Sequence, residues 1–230
     1  YELLPGMFPE KQVSPVREPI YNQLQGNAQS GNYVFVNKFF EADSLDINLL
    51  LDFVQQGNQV FIAADEYSAQ LQDTLHFSTE FLDATHPDST AFYFTKQREK
   101  QVYTFPRNNN AHYLVPDPEA HYTVLGRYKA GKLNFISIPF GKGRFYINTV
   151  PLAFTNYQLL TLNQSAYAAT ALSHLPVQPV LWDEYQKQGR LDDQSILRVL
   201  MGHEALTWAY YLALLGMVLF LLFQSKRNQR

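Results

Sequence analysis

The chain has 230 residues, and its 18 Lys plus Arg against 21 Asp plus Glu leave a formal net charge of −3. Apolar residues make up 46% and aromatics 15%, which excludes intrinsic disorder, and the slightly acidic balance argues against broad nucleic-acid binding. Cysteine is absent, which excludes a disulfide scaffold, thiolate-held metals and any cysteine nucleophile.

In chain order, Tyr1 to Phe8 reads as the end of a helix stopped by Pro5, Gly6 and Pro9. Lys11 to Ile20 is extended and proline-rich, and Gln25 to Asn32 is a polar turn. Asn32 to Asn37 (NYVFVN) then predicts a short buried strand. After Asp43 and Ser44, either able to cap a helix, Ile47, Leu50, Leu51 and Val54 recur at helical spacing and share one face. Gly57 supplies the stop, and Gln59 to Ala64 (QVFIAA) reads as a second buried strand. Strand, helix, strand in so short a span predicts a βαβ unit and hence a parallel sheet.

The next stretch changes character. Phe81 to Tyr103 alternates apolar and polar residues, and Pro106 to Glu119 (PRNNNAHYLVPDPE) reads as a turn-rich loop. Strands are expected around Tyr122–Tyr128, Leu133–Pro139 and Arg144–Val150, the first two joined by a hairpin at Ala130–Gly131. Ser165 to Leu175 reads as a small-residue helix ended by Pro176, Val180 to Tyr185 as a strand, and Asp193 to Leu200 as a helix. The predicted organisation is an α/β domain over 1–200 with a β-rich antiparallel insertion at about 76–128. A juxtamembrane link (201–204), a transmembrane helix (205–223) and a basic tail (224–230) follow.

The membrane helix is expected because Ala205 to Phe223 runs for 19 residues without a charge. At 1.5 Å per residue it would span roughly 28 Å, about the thickness of a bilayer's hydrocarbon. Trp208, Tyr210 and Tyr211 stand near one end and Lys226, Arg227 and Arg230 near the other. Basic residues also precede the run, so orientation is decided by proximity: the tail sits in the cytoplasm and the domain outside it, in the periplasm, with the helix in the inner membrane. The cysteine-free, acidic character of the domain points the same way. The chain begins at Tyr1 and shows no signal peptide, so delivery across a membrane is expected to depend on an upstream segment.

Gly141 to Asn156 (GKGRFYINTVPLAFTN) is the most distinctive segment. Gly141 and Gly143 make a tight turn before a strand, the reverse of the order a phosphate-binding glycine loop needs. Pro151 is expected to end the strand. Phe154, Thr155, Asn156 and Asn163 are then expected at the carboxyl edge of the parallel sheet, where open α/β folds bind ligands. Asp183 and Glu184 are a second candidate, but neighbours on a strand face opposite ways and cannot form one acid–base pair. The six histidines are scattered without ligand spacing, so neither a metal nor a cofactor is expected. No GxSxG elbow is present.

Taken together, YELLPGMF, YVFVN, LLLDFVQQGNQVFIAA, GKGRFYINTVPLAFTN with Asn163, VLWDEYQKQGR and a terminal apolar helix ending in KRNQR resemble the membrane-anchored domain of unknown function 4350 proteins of Bacteroidetes-type bacteria. The resemblance implies a fold related to class I glutamine amidotransferases, a flavodoxin-like doubly wound sheet. It also implies kinship with auxiliary components of gliding-motility transporters, an upstream transmembrane helix, and an envelope assembly whose genes neighbour MoxR-type ATPases. Amidotransferase chemistry needs a cysteine on a strand-to-helix elbow; here the turn after the second strand reads Ala64-Asp65-Glu66-Tyr67, so no activity carries over. The expectation is therefore a non-catalytic interaction or ligand-sensing module whose partners are the membrane and other envelope proteins. Its rival is a hydrolase using Asp183 or Glu184 with Asn156.

Overall fold

The computed structural model describes residues 6, 8, 12–25, 30–82, 91–96, 101–104, 111–155, 165–188 and 204–227. The chain divides into two units, Tyr1–Lys187 and Gln188–Arg230, each described by itself. In the first, the strands in chain order are β1 (Val13–Val16), β2 (Asn32–Val36), β3 (Phe39–Phe40), β4 (Gln59–Ala63), β5 (Glu66–Tyr67) and β6 (Phe77–Phe81). Then come β7 (Phe92–Phe94), β8 (His112–Pro116), β9 (Thr123–Tyr128), β10 (Leu133–Phe140), β11 (Gly143–Asn148) and β12 (Val180–Asp183). The helices are α1 (Ile20–Leu24), α2 (Ser44–Gln55), α3 (Ala69–Leu75) and α4 (Ser165–Leu172), with 3₁₀ turns η1 (Pro151–Phe154) and η2 (Gln186–Gln188).

Five strands run parallel in the order β1-β12-β2-β4-β11. The sheet continues antiparallel through β10 to β8 and β6, with β9 also on β10 and β7 on β9. The protein is thus a mixed α/β fold. Strand alternation sends alternate side chains to two cores, because successive Cβ atoms point to opposite faces. Tyr33, Phe35, Val60, Ile62, Phe145 and Ile147 join the core covered by α1, α2 and α3. Val34, Phe61, Ala63 and Tyr146 join the core covered by α4, η1 and β7. With both faces covered, β2 and β4 read as unbroken apolar runs.

The α2 helix starts where the sequence places it, with Asp43 Oδ1 accepting from the Asp46 N–H at 2.8 Å. It buries Ile47, Leu50, Phe53 and Val54, whereas Leu51 is only half-buried. Each such side chain contributes about 1.5–3 kcal/mol of apolar burial. Gly57 follows with φ +114°, which stops the helix.

Two elements differ from the sequence expectation. The stretch expected as a loop at Pro106–Glu119 contains β8, whose edges are hidden between β6 and β10. β11 ends at Asn148 rather than at Pro151, which instead opens η1. The proline-rich stretch expected to be extended holds β1, with Pro15 tolerated because the strand is at the sheet edge. The expected helices at 1–8 and 193–200 lie mostly or wholly outside the described residues.

The second unit contains α5 (Glu204–Arg227). Its side chains are described over residues 207–217 and 219–220. Among the described residues no helix is long and apolar enough to cross a membrane.

Candidate functional site

The carboxyl ends of the parallel strands bring together residues far apart in sequence. Register places Val36, Ala63 and Asn148 in one row, at the last positions of β2, β4 and β11. The chain beyond this row is held down by backbone bonds: Asn37 N–H to Ala63 O at 3.1 Å, Ala64 N–H to Asn148 O at 2.9 Å, and Asp65 N–H to Lys38 O at 2.9 Å. Four buried side chains complete the edge. The Asn148 amide donates to the Tyr167 phenol at 2.8 Å, and its Oδ1 accepts the Val150 N–H at 2.8 Å. The Tyr67 phenol donates to Asn148 O at 2.7 Å, and the Tyr128 phenol to His112 O at 3.0 Å. Burial holds the pKa values of Tyr67, Tyr128 and Tyr167 above that of a free phenol. All three therefore stay neutral, Tyr67 and Tyr128 as donors and Tyr167 as the acceptor of the Asn148 amide.

Asp65 is the exception at this edge. It is 8% exposed, and among the described residues its carboxylate has no hydrogen-bond partner. Burial raises its pKa to about 7, opposed by Lys38 and reinforced by Glu66. Burial thus makes this carboxyl hold its proton to higher pH than an exposed aspartate does. His112 Nε2 lies 3.9 Å from Glu66 Oε1 nearby. Among the described residues no group of three His, Asp or Glu stands close enough to hold a metal ion.

The topological switch lies between β4 and β11, whose chains leave for α3 on one face of the sheet and α4 on the other. Farther along the same edge, the crevice between the ends of β2 and β12 is occupied by the chain itself. Asp183 Oδ2 accepts the Gln186 N–H at 3.0 Å, the Asn37 amide donates to Gln186 O at 3.1 Å, and the Gln186 amide donates to Glu41 O at 3.1 Å. Asp183 is 2% exposed, and burial lifts its pKa to about 6 against the pull of the Gln186 N–H and Lys187. Glu184 is turned to Trp182 and Lys187, accepting from Trp182 Nε1 at 2.5 Å and from Lys187 Nζ at 3.0 Å.

The sequence candidates scatter around this edge. Phe154 packs edge-on against Phe61, ring centroids 5.5 Å apart, inside the core. Thr155 is exposed and its hydroxyl donates to Leu152 O at 2.8 Å. Pro151 is buried at the start of η1. Asn156 and Asn163 lie outside the described residues. Gly141, with φ +55°, and Lys142 form the two-residue turn between β10 and β11, and Gly143 opens β11. Sequence reading passed over Asp65, Tyr67, Tyr128, Asn148 and Tyr167. The usable signal was position: Asp65 follows a buried strand directly, at the edge where α/β folds place their chemistry.

The profile of a family described as "Domain of unknown function (DUF4350)" matches residues 10–172. The chain belongs to this family. No curated protein sequence matches it. Among solved structures, this DUF4350 domain is similar to the mmIFT52 N-terminal domain, with 8% identity and a TM-score of 0.52 over 74% of this chain and 89% of that one. That likeness shows the fold alone. A cytoplasmic protein from Salmonella typhimurium LT2 aligns at 11% identity and TM-score 0.48, over 75% and 85% of the two chains. An exo-β-1,4-mannosidase from Opitutaceae bacterium strain TAV5 aligns at 13% identity and TM-score 0.45 over 63% of this chain. The DUF4350 domain spans only a quarter of that mannosidase's length.

Proposed function

We propose that this DUF4350 domain is a non-catalytic interaction or ligand-sensing module of a bacterial envelope complex, tethered to the inner membrane by Ala205–Phe223. Its domain faces the periplasm and its tail from residue 224 the cytoplasm. The observation that supports a binding rather than a catalytic role is the closed crevice between the ends of β2 and β12, where Gln186 bridges Asn37, Glu41 and Asp183. With Asp183 and Glu184 both engaged by their own loop, neither faces an open site. The tether rests on the uncharged 19-residue run within a continuous 24-residue helix. Trp208, Leu212, Leu215, Met217 and Phe220 are all more than half exposed on it, apolar surface suited to lipid. The parallel strands flanked by α2 and α4 fit kinship with the flavodoxin-like amidotransferase group.

Washing membranes that carry the full chain with alkaline carbonate tests the tether. Retention in the pellet, with protease access to the domain from the periplasmic side, is the expected result; release into the supernatant overturns it. A second reading, acid-dependent hydrolysis at the sheet edge, is favoured by the near-neutral pKa of Asp65. Turnover of any ester or glycoside that vanishes in Asp65→Asn would replace the binding reading with this one.

A further inference from the structure

Away from the carboxyl edge, the α4-covered face of the sheet opens into a cavity of about 280 Å³. Its floor is a row of hydroxyls. Register sets Thr123 of β9 beside Ser137 of β10, and Ser137 opposite Tyr146 of β11. Arg144, two residues before Tyr146 and hence on the same face, lines the cavity, with Lys96 after β7 and His174 after α4 at its walls.

The electrostatics of this cavity are one-sided. Among the described residues its lining contains no carboxylate. Among the described residues neither Lys96 nor Arg144 forms an ion pair; the Arg144 guanidinium reaches only the Ser137 hydroxyl, at 3.3 Å. Arg144 is exposed, and with one neutral hydroxyl as its partner its remaining donors are free for a ligand entering from solvent. The same positive field acts on His174, whose pKa is lowered chiefly by burial and further by Lys96.

We propose that this cavity binds the phosphoryl group of a small phosphate ester. Arginine recognises phosphate bidentately, a lysine adds a point charge, and a tetrahedral oxyanion has acceptors enough for the hydroxyl row, whereas a planar carboxylate has fewer. At about 280 Å³ the cavity is larger than a bare phosphate needs and leaves room for an organic moiety beside it. The site is independent of the membrane tether and of the closed crevice between the ends of β2 and β12.

The full chain in neutral detergent, titrated calorimetrically with glucose 6-phosphate, glucose and inorganic phosphate, tests the assignment. A parallel arm uses the same protein in nanodiscs with and without phosphatidic acid, which separates a free ester from a lipid headgroup. Saturable one-to-one binding of a phosphate monoester in either arm, with glucose at least tenfold weaker, is the expected result. Arg144→Ala should weaken it at least tenfold and Lys96→Ala severalfold, while Arg144→Lys restores part of the loss. Lys96 is exposed, so its variant keeps the test open if Arg144→Ala fails to fold. Equal affinity for glucose and its phosphate, unchanged affinity in both alanine variants, or no saturation by any probe overturns the proposal.

Discussion

The Asn148 side-chain amide donates to the Tyr167 phenol at 2.8 Å, fastening the last residue of β11 to α4 across 19 positions of sequence. Both groups are buried, and the Asn148 carboxamide spends its other end on the Val150 N–H. Asn148→Ala removes the bond to the Tyr167 phenol and takes the acceptor from the buried Val150 N–H. A loss of about 2–4 kcal/mol in urea unfolding is expected. Tyr167→Phe, which removes only the hydroxyl, should cost about 1–2 kcal/mol. No loss in Tyr167→Phe would show that the bond to Asn148 contributes nothing and that Asn148 acts through packing and the Val150 N–H.

The turn glycines differ in why they are glycine. A Cβ on Gly143 would stand 2.0 Å from Asn58 O and 2.5 Å from Val54 O, so the end of α2 could not close on β11. Gly143→Ala should therefore lower stability by more than about 3 kcal/mol. Gly131 has φ +85° but nothing within 4 Å of a Cβ, so Gly131→Ala should cost only about 1–2 kcal/mol of left-handed strain. Thermal unfolding of the two variants side by side measures the difference.

The carboxyls of Asp65 and Asp183 have folded pKa values raised to about 7 and about 6, from the ordinary value of 3.8. The folded state thus binds more protons than the unfolded chain between these limits. The stabilising protonation is fully present below about pH 4 and is lost as pH rises through 6 and 7. Asp65→Asn removes the larger part: the variant should match the wild type near pH 4 and exceed it by about 1–3 kcal/mol at pH 8. Denaturant midpoints across that range check the sign; a wild-type advantage at pH 8 would mean that ionised Asp65 is favoured by a partner.

Charge placed in the middle of α5 tests the tether. Leu212→Arg together with Leu215→Arg puts two cations into the 19-residue run, each costing about 2.5–3.5 kcal/mol at the centre of a membrane helix. Carbonate-resistant membrane association should be lost. The domain, a separate unit ending at Lys187, should keep its unfolding temperature.

The βαβ unit of β2, α2 and β4 was legible because each of its signals is local: a doubly apolar run, a capping Asp43, a helical stripe and a stop at Gly57. β8 was not legible, because its residues His112–Pro116 sit among prolines and asparagines and become a strand only through β6 and β10 on either side. The same holds for the candidate site. Asp65 was visible as a residue, yet its near-neutral carboxyl arises from burial at the end of β4 and not from its neighbours in sequence.

By itself the sequence determined the absence of thiol chemistry, the α/β character of the chain, its family resemblance and the uncharged run near its end. These depend on composition and short-range periodicity, which the chain carries wherever it folds. Tertiary structure alone decided that Gln186 closes the crevice beside Asp183, and that Thr123, Ser137, Tyr146, Arg144, Lys96 and His174 surround one cavity. Strand register and the pairing of distant segments create such neighbours, and both are set by which apolar faces can be buried together.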